Sequence, residues 1–174
     1  MIEERTVHEA VTELLRYIGE DPQRSGLVDT PRRVAEMYRE LFSGVDQDPA
    51  QELQVTFDEG HGDMVVLRDI SFYSMCEHHL IPFFGSASIG YLPNGSVVGV
   101  SKMVRALEML AHRPQLQERL TAQLADALLD TLTSSFTVFD PARFGAARER
   151  ALTMPLGDPI TLDLALSREA RSHL

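Results

Sequence analysis

The sequence predicts an α+β fold: helices first, then strands, a helix pair, and strands again. Three observations predict it. Apolar residues recur at helical spacing through the first 50 residues and again from 101 to 131. The stretch between them is β-rich. Near the end, Ile160, Leu162, Leu164 and Leu166 alternate with Thr161, Asp163 and Ala165. A 3.6-residue period marks a helix with one buried stripe, and a period of two marks a half-buried strand.

Thr6 with Glu9 fits a capping box, and Val7, Val11, Leu14, Leu15 and Ile18 form one apolar stripe stopped by Gly19. Residues 20–28 read as a polar loop. Thr30-Pro31 predicts an N-cap followed by proline at the first helical position. The stripe Val34, Met37, Tyr38, Leu41 and Phe42 then runs to Gly44. Residues 64–72 and 83–91 are rich in strand formers, and Pro93-Asn94-Gly95 predicts a turn into a strand at 96–100. Ser101 is expected to cap a helix that buries Met103, Leu107, Leu110 and Ala111, up to Pro114. Leu116, Leu120, Leu124, Ala127, Leu128 and Thr131 mark the next helix. A short strand is expected at 136–139.

A chain of 174 residues suits one domain, 1–174, with a helical region at 1–50 and a core at 60–174. At 44% apolar and 24% charged residues it has an ordinary globular composition. The net charge of −10 argues against a nucleic-acid partner, which would require a basic face. No run of 18 apolar residues occurs, so no membrane partner is expected. A single cysteine excludes an intrachain disulfide and fits a reducing, cytoplasmic location.

The chemistry concentrates in Cys76-Glu77-His78-His79, which holds the only cysteine beside two histidines. A thiolate and an imidazole three residues apart can grip one borderline cation such as zinc. The histidine between them is left to handle protons beside the metal. Four residues do not complete a site, since a catalytic zinc takes three protein ligands and a structural one four. A second cluster, Ser101, Lys102 and Arg105, lies at a predicted helix start and favours an anion. Lys102 is the only lysine among 16 basic residues.

These residues resemble the GTP cyclohydrolase I family. The likeness rests on Ile18-Gly19-Glu20-Asp21-Pro22, on Thr30-Pro31 with Arg33-Val34-Ala35, and on the run Phe72-Tyr73-Ser74-Met75-Cys76-Glu77-His78-His79. It continues through Tyr91-Leu92-Pro93-Asn94-Gly95, Ser101-Lys102, and Arg113-Pro114-Gln115-Leu116-Gln117-Glu118-Arg119-Leu120-Thr121. The resemblance implies a tunnelling fold of ββααββ subunits, with an antiparallel sheet and a helix pair on one face. It implies a homo-oligomeric ring, a decamer, and a hydrolase of folate biosynthesis. In that reaction water adds to C8 of GTP, the imidazole ring opens, formate leaves, and the ribose rearranges and recloses as dihydroneopterin triphosphate. It further implies that Cys76 and His79 are two of three zinc ligands and that His78 is catalytic. Glu118 would hold the guanine edge, and Ser101, Lys102 and Arg105 the triphosphate.

One segment departs from the family's pattern, which carries a histidine, one residue, a cysteine and, four residues on, an arginine in a later strand. Counting from Phe139-Asp140 places Arg143 at the histidine position, Gly145 at the cysteine position and Glu149 at the arginine position. The third ligand is therefore not identified. Asp140, Glu149, His61, His173 or a neighbouring subunit are open candidates, and zinc would be held more weakly or replaced by another divalent metal. Arginine stays protonated near neutral pH and cannot relay a proton, and an acid at 149 repels a triphosphate. Three readings stay open. One is a GTP cyclohydrolase I-type enzyme with an altered metal site. Another is a paralogue that binds a purine nucleotide or modulates an intact homologue. The third is a tunnelling-fold enzyme that stops at the ring-opened product.

Overall fold

The computed structural model describes residues 4–54, 56–58, 65–91, 96–131 and 160–165. They fall into two compact units, Met1–Ser43 and Gly44–Leu174.

The first unit pairs helix α1 (Glu4–Tyr17) with α2 (Thr30–Leu41). α1 starts ahead of Thr6, so Thr6 and Glu9 lie inside the helix rather than at its cap. α2 starts one residue earlier than expected, with Asp29 at the N-cap and Pro31 in the first turn. Of the first predicted stripe only Leu15 is buried, while Leu14 and Ile18 are more than half exposed. Each helix presents one apolar face, and two helices alone cannot enclose both.

The second unit holds α3 (Pro49–Leu53), β1 (Thr56–Asp58), β2 (Val65–Cys76), β3 (Pro82–Tyr91), β4 (Ser96–Val98), α4 (Val100–Ala111), β5 (Pro114–Gln115), α5 (Gln117–Thr131) and β6 (Ile160–Ala165). β1 pairs with β4, and a four-stranded sheet runs in the order β5-β2-β3-β6. The expected antiparallel sheet is antiparallel only at the β2–β3 hairpin. β5 pairs parallel with β2 and β6 parallel with β3, so the sheet is mixed. A tight hairpin forces antiparallel pairing, whereas strands joined through a helix are free to run parallel. Helix α4 lies between β4 and β5, and α5 between β5 and β6.

The core is built from α4, α5 and one face of the hairpin. Met103, Ala106, Leu107, Leu110 and Ala111 of α4 meet Leu120, Leu124, Ala125 and Leu128 of α5, with Ala87, Ile89 and Tyr91 of β3 and Leu67 and Phe72 of β2. β2 keeps its inward face only because it carries one extra residue. The register passes from Leu67↔Ile89 to Ile70↔Ala87, and Asp69 sits there at φ 57. That bulge switches the inward set from Val65 and Leu67 to Ile70, Phe72 and Ser74. Two polar contacts pin the unit. The Ser74 hydroxyl donates to the Ala111 carbonyl at 2.6 Å, tying β2 to the end of α4, and the Val98 N–H donates to the Tyr91 hydroxyl at 3.0 Å. Burial pushes the Tyr91 phenol above its ordinary value. Gly44 enters where no side chain fits. Its N–H donates to the His112 carbonyl, and a Cβ there would lie 1.9 Å from the Met109 carbonyl oxygen.

The turn at 93–95 and the strand expected at 136–139 lie outside the described residues. Among the described residues, no helix is long and apolar enough to cross a membrane.

Candidate functional site

β2 ends on Cys76, and the chain reverses through residues 77–80 before β3 begins at Pro82. Two backbone bonds close the reversal. The Cys76 N–H donates to the Ile81 carbonyl at 2.9 Å, and the Leu80 N–H donates to the Cys76 carbonyl at 2.8 Å. Leu80 sits at φ 52, a left-handed conformation that costs a non-glycine residue about 1–2 kcal/mol. The turn thus presents Cys76 half-buried, with His78 and His79 exposed beside it. The two imidazole rings stand edge to face with centroids 6.2 Å apart.

The turn is braced from the neighbouring strand and helix. Cys76 registers with Gln115 of β5, and the Glu77 N–H donates to the Gln115 carbonyl at 3.1 Å. The buried Gln115 side chain donates in turn to the Leu110 carbonyl at 2.8 Å and to Gln123 at 2.9 Å. Arg119, in the first turn of α5, forks onto Glu77. Its Nη2 donates to Oε1 at 3.0 Å, and its Nη1 donates to Oε2. The Arg119 hydrogen bond holds the Glu77 carboxyl below the usual carboxylate value, and Glu77 raises the guanidinium in return. Glu118, the residue placed on guanine, precedes Arg119 and is exposed. One two-pronged ion pair therefore joins the Cys76–His79 turn to the helix that carries Glu118.

The second cluster forms at the start of α4. Gly99 occupies the N-cap and Ser101 lies inside the first turn, so Ser101 is not the cap the sequence suggested; the cap sits two residues earlier and the helix begins at Val100. Lys102 Nζ donates to Glu52 Oε2 at 2.7 Å, and Arg105 Nη1 lies 3.6 Å from the same oxygen. The Lys102 and Glu52 side chains are each only 23% exposed. The Lys102 hydrogen bond, followed by the nearby charges of Lys102 and Arg105, holds the Glu52 carboxyl below its ordinary value. The two cations expected to take phosphate thus converge on one carboxylate oxygen.

Cys76 and His79 offer the sulfur and nitrogen donors that zinc favours, at the two ends of one tight turn, and so fit part of a zinc site. Among the described residues no group of three His, Cys, Asp or Glu side chains stands close enough to hold a metal ion. His61, Asp140, Arg143, Gly145, Glu149 and His173 all lie outside the described residues.

Two site residues escaped the sequence reading. Glu52 lies on α3, five residues long and too short to show a period. Its one local signal is Asp48-Pro49, an N-cap followed by proline, and the Asp48 carboxylate does accept the Ala50 N–H at 3.0 Å. Arg119 was quoted in a motif but given no partner. Glu77 lies 42 positions away, and no local pattern links them.

A family model described as GTP cyclohydrolase I matches residues 7–139. Several curated relatives named GTP cyclohydrolase 1 are similar. One from Dehalococcoides mccartyi is 56% identical over 134 residues, covering 76% of this chain and 71% of the relative. One from Halalkalibacterium halodurans is 53% identical over 132 residues, covering 75% and 70%. One from Streptococcus mutans serotype c is 53% identical over 133 residues, covering 76% and 69%.

Proposed function

Because the chain belongs to the GTP cyclohydrolase I family, we propose that it hydrolyses GTP to dihydroneopterin triphosphate and formate, a step of folate biosynthesis. What carries this reading is the Glu77–Arg119 pair, which fixes the Cys76–His79 turn against the helix bearing Glu118.

The residues divide the work by chemistry. The Glu118 carboxylate accepts paired N–H bonds from the guanine edge, which orients C8 toward the turn. Ser101, Lys102 and Arg105 take the triphosphate through charge-assisted hydrogen bonds. His78, exposed beside Cys76, passes a proton from the water adding at C8 to the ring nitrogen released as the imidazole opens. Zinc held by Cys76, His79 and a third donor would supply a more acidic water at that point. Formate then leaves C8, and the ribose carbons rearrange and close the pterin ring.

The fold is assigned to the tunnelling folds and the assembly to a homo-oligomeric ring, a decamer, in the cytoplasm. Exposed apolar side chains support association: Leu14, Ile18 and Met37 in the first unit, and Val66, Tyr73 and Phe84 on β2 and β3. Tyr73 and Phe84 are register partners, so they form one apolar patch on the hairpin.

The test is to incubate the purified protein with GTP and follow formate together with a fluorescent pterin. Equal amounts of both are expected. Absence of turnover with zinc, iron and manganese each supplied would reject the reading. One observation favours a second reading, a paralogue that binds nucleotide without turning it over: a single cysteine serves the whole chain, and Gly145 stands where the family's second one is expected. GTP binding without formate supports that reading. A gain of zinc and activity in Arg143→His with Gly145→Cys would locate the deficit at those two positions.

A further inference from the structure

Glu52 on α3 faces Lys102 and Arg105 on α4. A single oxygen, Oε2, serves both cations, at 2.7 Å and 3.6 Å. The carboxylate is delivered by a short helix that is itself firmly held. Asp48 caps it, Pro49 opens it, and Leu53, the next residue after Glu52, is completely buried among the core residues. Lys102 and Glu52 are both mostly withdrawn from water, where screening by salt is weak. Their geometry is the one a phosphate oxygen would adopt, since carboxylate and phosphate oxygens make the same class of charge-assisted bond to ammonium and guanidinium groups.

We propose that Glu52 is the internal counter-ion of the phosphate subsite, occupying Lys102 and Arg105 until a polyphosphate displaces it. The proposal rests on the reading that these two cations contact the triphosphate. With Glu52 in place the three side chains carry a net charge of +1; without it the two cations carry +2. A polyanion can outcompete one carboxylate by supplying several oxygens at once, whereas an anion with a single charge gains little by the exchange. Glu52 therefore selects for polyphosphate and keeps the cations ordered while the subsite is empty. A residue that merely anchored the two cations would act in the opposite direction, and its loss would weaken every anion.

The experiment measures the affinity of the intact protein for inorganic tripolyphosphate and for guanosine by calorimetry, which needs no turnover. In Glu52→Gln the dissociation constant for tripolyphosphate is expected to fall about three- to tenfold, the size of one nearby charge removed from a partly screened site. Guanosine affinity is expected to stay the same. Glu52→Asp, one methylene shorter, is expected to shift tripolyphosphate in the same direction by less, and serves if the glutamine variant does not fold. Lys102→Met is the control and is expected to weaken tripolyphosphate about tenfold or more. Unchanged or weaker tripolyphosphate binding in Glu52→Gln, with Lys102→Met weakened, overturns the counter-ion proposal. No effect of Lys102→Met overturns the phosphate subsite beneath it.

Discussion

Two carboxylates in this protein make similar ion pairs and are put to opposite uses. Glu77 meets Arg119 in a two-pronged contact between a turn and a helix. Both groups belong to the scaffold, and neither is expected to touch substrate. Glu52 meets Lys102 and Arg105, two cations assigned to the triphosphate, through one shared oxygen. The first pair fixes where the Cys76–His79 turn sits relative to Glu118. The second holds the place proposed for substrate oxygens. An ion pair seen in a structure thus says little about its role until the partner's own job is known. The two cases make opposite predictions for the same chemical change, carboxylate to amide.

The largest effect expected is at the turn itself. Cys76→Ala should reduce zinc in the purified protein from about one equivalent to near none, because His79 and one further donor fall short of the three protein ligands that a catalytic zinc takes. Elemental analysis of the two proteins checks this. Next comes the brace. Arg119→Met should weaken zinc retention about 10- to 100-fold, the usual cost of losing a group that orients ligands. Arg119→Lys should recover only part of this, because a single ammonium cannot fork onto both oxygens of Glu77. Chelator competition gives both values. A full recovery by lysine would mean that charge alone matters, and the comparison with Lys102 would lose its geometric half.

Gly44→Ala is expected to cost about 1–3 kcal/mol in thermal or denaturant unfolding, since its Cβ would press on the Met109 carbonyl at the far end of α4. It leaves the Glu77–Arg119 pair intact, so it shows how much of the site depends on helix placement alone. The smallest effect is that of pH. Both carboxyls sit below their ordinary value of 4.5. A depressed folded-state pKa contributes stability that is present above the unfolded value and is lost as pH falls through the folded value. Wild type, Glu52→Gln and Glu77→Gln should therefore differ in melting temperature by a constant amount from pH 6 to 8. The differences should shrink only as the pH drops below about 4. Differences that vanish already at pH 6 would contradict the assigned charges.

The elements that were legible in the sequence are those with a repeating pattern. β3 alternates along its length, with Ala87, Ile89 and Tyr91 inward, and α4 and α5 show their buried stripes at helical spacing. β2 extends beyond the expected end at residue 72 because Ser74, polar yet buried, finds the Ala111 carbonyl. Its bulge at Asp69 changes the parity of the pattern midway, so no single alternation runs the length of the strand. α3, β1 and β5 have five, three and two residues, too few for any period to emerge. The helix caps were misplaced because Thr6 and Ser101 look like N-caps locally, while the helices begin upstream of them. In the site, Cys76, His78, His79, Lys102, Arg105 and Glu118 were nameable from motifs. Their partners were not, because Glu77–Arg119 and Glu52–Lys102 span 42 and 50 positions.

The most direct measurement is the affinity of GTP for Glu52→Gln and Glu77→Gln side by side, in one buffer at pH 7.5 and low salt. Glu52→Gln should bind GTP more tightly than wild type, and Glu77→Gln more weakly, because one change removes a competitor and the other loosens the helix bearing Glu118. Shifts of the same sign in the two variants would contradict the division of labour between these carboxylates.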